Sequence, residues 1–217
     1  VTMTNAIPEA AFRPIKLAHV VMRTSPGHYE GMIEFYRQLL GATIVHQAPI
    51  ISFLTYDDEH HRVAISKFPL TFPKLKFLRG VDHVAFTFSK LEGLLEAYKR
   101  MQAYGIKPVW SVHHGGTISI YYEDVDGNLV ETQVDVFDTI EKANAYIASE
   151  SFVENPIGVD FDPDEWIARL AAGEPEEEVS RRIDSGPRKP STVPREIQGT
   201  LLWLLSKIAP PPPAPAK

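Results

Sequence analysis

KLAHVVMRTSPGHYEGMIEFYRQLLG, Lys16–Gly41, and GVDHVAFTFSKLEGLLEAYKRMQAYG, Gly80–Gly105, can be laid one on the other without a gap. His19 then falls on His83 and Gly41 on Gly105, an offset of 64. Each stretch opens with an alternating, β-branched run of the strand type. Each continues as an amphipathic helix that stops at a glycine, the residue that most readily takes the left-handed conformation of a helix C-terminus. Three strand-like runs follow in each half: ATIVHQ, IISFLTYD and HRVAISKF in the first, KPVWSV, TISIYYED and NLVETQVD in the second. The chain therefore contains an internal duplication of a β-α-β-β-β unit. One such unit leaves half a sheet face uncovered. Two can pair so that their concave faces make a cleft, with side chains from both converging on it.

The alignment continues through the last two strands of each unit. Ser52–Ala64 lies beside Ser119–Glu131 at an offset of 67. Pseudo-twofold symmetry then makes His19, His83, Glu131 and Ala64 equivalent positions, and three of the four carry metal-binding groups. A lone strand histidine is usually a packed or surface residue. A matched pair joined by a glutamate within a strand, where carboxylates are disfavoured and costly to bury, points to a metal. Two histidines and one carboxylate, with alanine at the fourth position, leave one face of an octahedral ion open, the pattern of Fe(II) oxygenases. Mn(II) uses the same donors and is the less favoured choice.

Composition narrows the field. The chain has 217 residues, a hydrophobic share of 44%, a formal charge of −6, eight histidines and no cysteine. Disulfides, thiolate metal sites and cysteine nucleophiles are excluded, which fits a reducing cytoplasm. Charge of this size gives no basic footprint for nucleic acid, and no apolar run is long enough to span a membrane. No basic stretch followed by an apolar one opens the chain, so no signal peptide is expected. We divide the sequence into an N-terminal arm (1–15), a first module (16–79), a second module (80–136) and a C-terminal extension (137–217). Eleven of the eighteen prolines lie from Pro156 onward. Helices are expected there over Pro163–Ala172, Pro175–Ile183 and Arg195–Ala209, packed on the main body or on a partner subunit, before a Pro-rich tail. Edge strands that need covering suggest a homo-oligomer, a dimer or larger.

The paired modules, Lys16 to Val136, resemble the vicinal oxygen chelate superfamily, which includes glyoxalase I, bleomycin-resistance proteins and type I extradiol dioxygenases. A second motif resembles the extradiol signature. In VHHGGTISIYYEDVDGNLVE, Val112–Glu131, the matching residues are His114, Ile120, Tyr121, Asp124, Gly127 and Glu131. Val125 stands where that family usually has a turn-shaping proline, which bears on the hairpin and not on the ligands. A third segment, HHRVAI, His60–Ile65, is similar to the one that supplies the family's acid–base histidine, with His61 in register.

The resemblance implies an α+β fold of two paired βαβββ modules forming a metal-binding cleft. It also implies an Fe(II)-dependent enzyme that opens a catechol-type ring with O₂, beside rather than between the two hydroxyls. His19, His83 and Glu131 would hold the metal. His61 would move a proton, Tyr121 would donate to a substrate oxygen, and His114 would help position that oxygen. Blander readings stand beside these: DDEHHR as a polar hairpin tip and Tyr121 as a core aromatic. Phe53 and Trp110 are candidates to bound the pocket, equally explained as ordinary core, and Phe68, Phe72, Phe77 and Leu78 are candidates to cap it, with simple packing against the sheet the favoured reading. Two other functions compete: a glyoxalase-like metal-dependent isomerase or lyase, which the vacancy at Ala64 disfavours, and a non-catalytic small-molecule (drug) binding protein.

Overall fold

A computed structural model describes residues 14–75, 80–183 and 186–198. The first module runs β1 (Val20–Thr24), α1 (Tyr29–Leu40), β2 (Thr43–Gln47), β3 (Ile51–Thr55) and β4 (Val63–Lys67). The second repeats the order as β5 (His83–Thr87), α2 (Leu91–Ala103), β6 (Trp110–His113), β7 (Thr117–Glu123) and β8 (Leu129–Asp135). Strand order is β1-β4-β3-β2 in one sheet and β5-β8-β7-β6 in the other, so the two sheets share one topology. In each, the first strand runs parallel to the fourth and the remaining pairs are antiparallel.

The register bears out the duplication residue by residue. Val21 lies opposite Ala64 in the first sheet, and Ala85 lies opposite Glu131 in the second. Both helices end as their sequences require: Gly41 caps α1 at φ +63°, and Gly105 follows α2 at φ +75°. Their apolar stripes bury Met32, Tyr36 and Leu39 from α1 and Leu94, Tyr98 and Met101 from α2 in one shared core. Met32, Leu39, Leu94 and Met101 are each fully buried, which is worth about 1.5–3 kcal/mol per side chain.

The modules are thus joined through their helices. Arg100 Nε donates to the Gln38 carbonyl at 2.9 Å, and the Tyr36 hydroxyl donates to Asp124 Oδ2 at 3.1 Å. Part of the face of each sheet is left exposed: Leu17, Val21 and Val45 beside the first, Val81 beside the second.

The extension is only partly as expected. α5 spans Pro163–Ala171, capped by Asp162, and α6 is reduced to Glu176–Val179. Three glutamates in a row, Glu176 to Glu178, give α6 little apolar surface to bury, so it ends after one turn. Two short helices, α3 (Ile140–Ile147) and α4 (Glu150–Glu154), precede them. A two-residue strand, β9 (Val159–Asp160), pairs with β6 and lengthens the second sheet to five strands. Trp166 packs on the chain's own body, buried in the shared core and stacked on Phe161 at 4.0 Å. Of the expected third helix, only α7 (Arg195–Gln198) belongs to the described residues. The N-terminal arm before Pro14, Phe77, Leu78, Leu201–Leu205 and the proline tail lie outside them. No helix among the described residues is long and apolar enough to cross a membrane.

Candidate active site

His83 is the first residue of β5 and Glu131 the third residue of β8, on neighbouring parallel strands. His83 Nε2 lies 3.0 Å from Glu131 Oε2, and its Nδ1 lies 2.8 Å from Asp82 Oδ2. With a carboxylate on each nitrogen, the imidazolium is favoured, and His83 is pushed up to about 9 in the metal-free protein; the Glu131 hydrogen bond is the largest cause.

Glu131 is 5% exposed. Burial alone would raise its carboxyl, but hydrogen bonds from His83, Ser119 and Tyr121 outweigh it and hold the group below the ordinary glutamate value. Glu131 sits directly opposite Tyr121 in the β7–β8 ladder, which is why the phenol reaches it. Burial, and after it the negative charge of Glu131, push the Tyr121 hydroxyl well up, so it stays protonated and can donate.

Behind Tyr121 stands His114, its Nε2 3.1 Å from the phenolic oxygen and its Nδ1 2.7 Å from the Ile157 carbonyl. Burial lowers its pKa, leaving a neutral ring. The adjacent His113 plays a different part. It is buried, accepts from the Gly115 N–H at 3.0 Å, and is pushed down to about 4, mainly by burial and then by the charge of Arg182.

Second-module candidates are therefore gathered into one network. The first-module candidates form another. His19, just before β1, is exposed, with its ring 4.4 Å from that of His61. His61 also lies against Phe53, with ring centres 4.6 Å apart and planes tilted by 32°, and contacts His60. Burial, then the neighbouring His19 and His60, lower its pKa. His60 is exposed as expected, but it lies ahead of β4 in the hairpin tip and not on a strand face. The surrounding residues do form a polar tip, with Arg62 Nε 2.9 Å from Asp57 Oδ2 and Lys16 paired with Glu59. Ala64 is buried and faces Val21, so nothing at the fourth position can ligate.

His83 and Glu131 are two nitrogen and oxygen donors already in reach of a common ion, which fits a divalent first-row metal. His19 does not join them within one chain: among the described residues, no three His, Asp, Glu or Cys side chains are gathered closely enough to hold a metal. Of the flanking aromatics, Trp110 stacks on Tyr121 with ring centres 5.4 Å apart. Phe68 lies under the Arg23 guanidinium, and Phe72 is exposed.

Residues 16–132 match the family described as the Glyoxalase/Bleomycin resistance protein/Dioxygenase superfamily. The chain belongs to that superfamily. Its curated relatives include two proteins of Rhodococcus globerulus. Biphenyl-2,3-diol 1,2-dioxygenase 2 is 40% identical over 76% of this chain and 86% of its own length. Biphenyl-2,3-diol 1,2-dioxygenase 3 is 38% identical over 77% and 88%. Among solved structures, a glyoxalase/dioxygenase from Nostoc punctiforme superposes with a TM-score of 0.50 at 15% identity, covering 62% of this chain and 99% of that one. This last likeness is one of fold alone, the α+β architecture of paired modules.

Sequence reasoning missed three groups of this superfamily member's site. Asp82 adjoins His83 and was legible as an acidic neighbour. Ser119, fully buried opposite Gln133, was a polar residue amid strand apolars. Ile157 acts through its backbone, which no residue pattern signals.

Proposed function

We propose that this chain is an Fe(II)-dependent extradiol dioxygenase that opens a catechol-type ring with O₂. The observation that carries the reading is the buried Glu131, bonded to His83 and backed by Tyr121 and His114, in a chain 38–40% identical to biphenyl-2,3-diol dioxygenases. His83 and Glu131 would hold the metal together with His19. When bound, the metal supplies the positions at which the catechol oxygens and O₂ meet.

The chain's own residues do the rest. Tyr121 keeps its single proton, which faces His114 Nε2 and Glu131 in the free protein, and would turn it to a substrate oxygen on binding, fixing the ring's orientation. His114 fixes Tyr121. His61, neutral near pH 7, takes a proton from a catechol hydroxyl. The rings of Phe53 and Trp110 bound the flat substrate.

The donor set also argues for a homo-oligomer. His19 and His61 sit beside one exposed sheet face and His83 beside another, and one chain does not close the set. A second copy presenting its His19 face to the His83–Glu131 face completes it, and covers Val21, Val45 and Val81. Mixing His19→Ala with His83→Ala protein should then restore one of the two iron sites in each mixed pair, about a quarter of all sites after random exchange.

The direct test is a screen of catechols, 2,3-dihydroxybiphenyl among them, against protein loaded anaerobically with Fe(II) or Mn(II). The expected result is one O₂ consumed per coloured ring-fission product, with Fe(II) the better metal. Stoichiometric iron with no O₂ uptake on any catechol would refute the reading, and isomerase activity without O₂ would favour a glyoxalase-like enzyme.

A further inference from the structure

The C-terminal extension reaches the back of the site at two points. Asn155 and Gly158 close a tight turn: the Gly158 N–H donates to Asn155 Oδ1 at 2.9 Å, and Asn155 Nδ2 donates to the Gly158 carbonyl at 3.2 Å. The turn lies hard against His113 and His114. Gly158 has φ +103°, and a Cβ there would sit 2.5 Å from the His113 carbonyl oxygen. This close approach is what brings the Ile157 carbonyl to His114 Nδ1. A carbonyl only accepts, so Nδ1 carries the proton and Nε2 presents its lone pair to the Tyr121 hydroxyl.

The second point is Trp110. Its Nε1–H donates to Asp160 Oδ1 at 2.7 Å. Arg188 forks onto the same carboxylate, at 2.6 and 2.9 Å, and its guanidinium lies 5.5 Å from the centre of the Trp110 ring. Arg188 is itself fixed by Thr192 Oγ1 at 2.9 Å, and its side chain is only 10% exposed. The indole so held meets Tyr121 in a stacked contact, with planes 28° apart, and His114 edge-on, with ring centres 5.5 Å apart.

We infer that Asp160 and Arg188 are positioning residues of the site: acting through Trp110, they set the plane of Tyr121, while the Ile157 carbonyl sets the orientation and tautomer of His114. The inference treats Tyr121 and His114 as substrate-facing groups, and so rests on the dioxygenase reading. A bidentate Arg–carboxylate fork is the appropriate device, because it fixes direction as well as distance. Rings held in this way keep a donor aimed without help from the substrate. The pair stands at the surface end of the stack, where Asp160 is 56% exposed. Its loss therefore leaves the shared core intact, and its effect on turnover passes through Trp110 and, because Arg188 Nη1 also donates to the Gly158 carbonyl at 3.2 Å, through the turn that holds His114.

The test compares Arg188→Ala, Arg188→Lys, Asp160→Asn and Trp110→Phe in the full-length protein. Arg188→Ala should lower kcat about tenfold, the scale on which sub-ångström misplacement of a reacting group acts. KM should stay within about threefold and iron content should not change, and Arg188→Lys should recover part of the loss by keeping a cation over the indole. In the metal-free protein, the near-ultraviolet dichroism that Trp110→Phe abolishes should also be lost in Arg188→Ala, and ¹⁵N spectra should give His114 as the Nδ1–H tautomer. Arg188→Ala with kcat within twofold of the parent and the Trp110 band intact would overturn the inference, as would His114 found as the Nε2–H tautomer. If the parent turns over no catechol, the dioxygenase reading fails, while the dichroism and the tautomer still decide whether the extension sets these rings.

Discussion

Replacing Asp124 with Ala should unfasten the hairpin that carries both Tyr121 and Glu131. Asp124 is 6% exposed and fills the turn between β7 and β8. Its carboxylate accepts from the Asp126 N–H at 2.9 Å, from the Asn128 N–H at 2.9 Å, from Asn128 Nδ2 at 2.9 Å and from the Tyr36 hydroxyl at 3.1 Å. Burial pushes the carboxyl up against the pull of these donors. Each such bond to a charged acceptor contributes about 1.5–3 kcal/mol. The gain is offset by the desolvation of the carboxylate, which the alanine removes, so a net loss of about 3 kcal/mol is expected. For a chain of this size about 2–4 °C of Tm goes with each kcal/mol, giving a fall of about 6–12 °C. The assay is thermal unfolding of the metal-free protein at pH 7, which keeps metal linkage out of the comparison. Asp124→Asn, of the same shape, should lose less than half as much. Iron retention should fall with Asp124→Ala, since the turn sets the register that puts Glu131 beside His83. A variant that melts within about 1 °C of the parent and keeps its iron would refute the reasoning. The same geometry answers the departure at Val125: the turn is fixed by the Asp124 carboxylate and by Gly127 at φ +76°, so no proline is required there.

Tyr122 is fully buried and its hydroxyl has no hydrogen-bond partner among the described residues; Tyr122→Phe should therefore raise stability by about 1 kcal/mol, read as a Tm higher by about 2–4 °C. Stability of the metal-free protein should fall as pH rises from 6.5 through about 9, because His83 is raised to that value on folding. The contribution of Glu131, whose pKa is lowered on folding, is complete above 4.5 and fades in acid. His83→Ala should flatten the alkaline limb, and a slope unchanged in that variant would place the titration elsewhere. His83→Ala should also abolish iron retention, whereas His61→Ala should keep the metal and slow turnover by about 10²–10⁴-fold, the range for a lost acid–base group; normal iron binding by the His83 variant would remove it from the ligand set.

The duplication was legible because strand and helix periods are local, and the paired glycines at 41 and 105 mark the same helix end twice. The match of Val21 with Ala64 to Ala85 with Glu131 follows from the alignment alone. The same reasoning stops at the relation between the two faces. Equivalence under a pseudo-twofold says which positions correspond, not which sheet faces which, and the structure joins the modules through α1 and α2. That choice is made by the apolar stripes of both helices together, a non-local sum that no single segment reveals. The extension was harder still. A two-residue strand has no period, and the decisive groups in it are a carbonyl oxygen at Ile157 and a backbone angle at Gly158. Trp110 was visible as an aromatic, but its indole partner lies 50 residues away.

β9 gives the two halves unequal borders. Among the described residues, β2 ends its sheet with nothing beyond it, whereas the equivalent border at β6 is sealed by Val159 and Asp160. A chain joining others by β2 against β6 would grow head to tail without limit, and that route is closed. The edges that remain are β1, β2, β5 and the two-residue β9, and of the contacts they allow, β2 on β2 of another copy is isologous and complete after two chains.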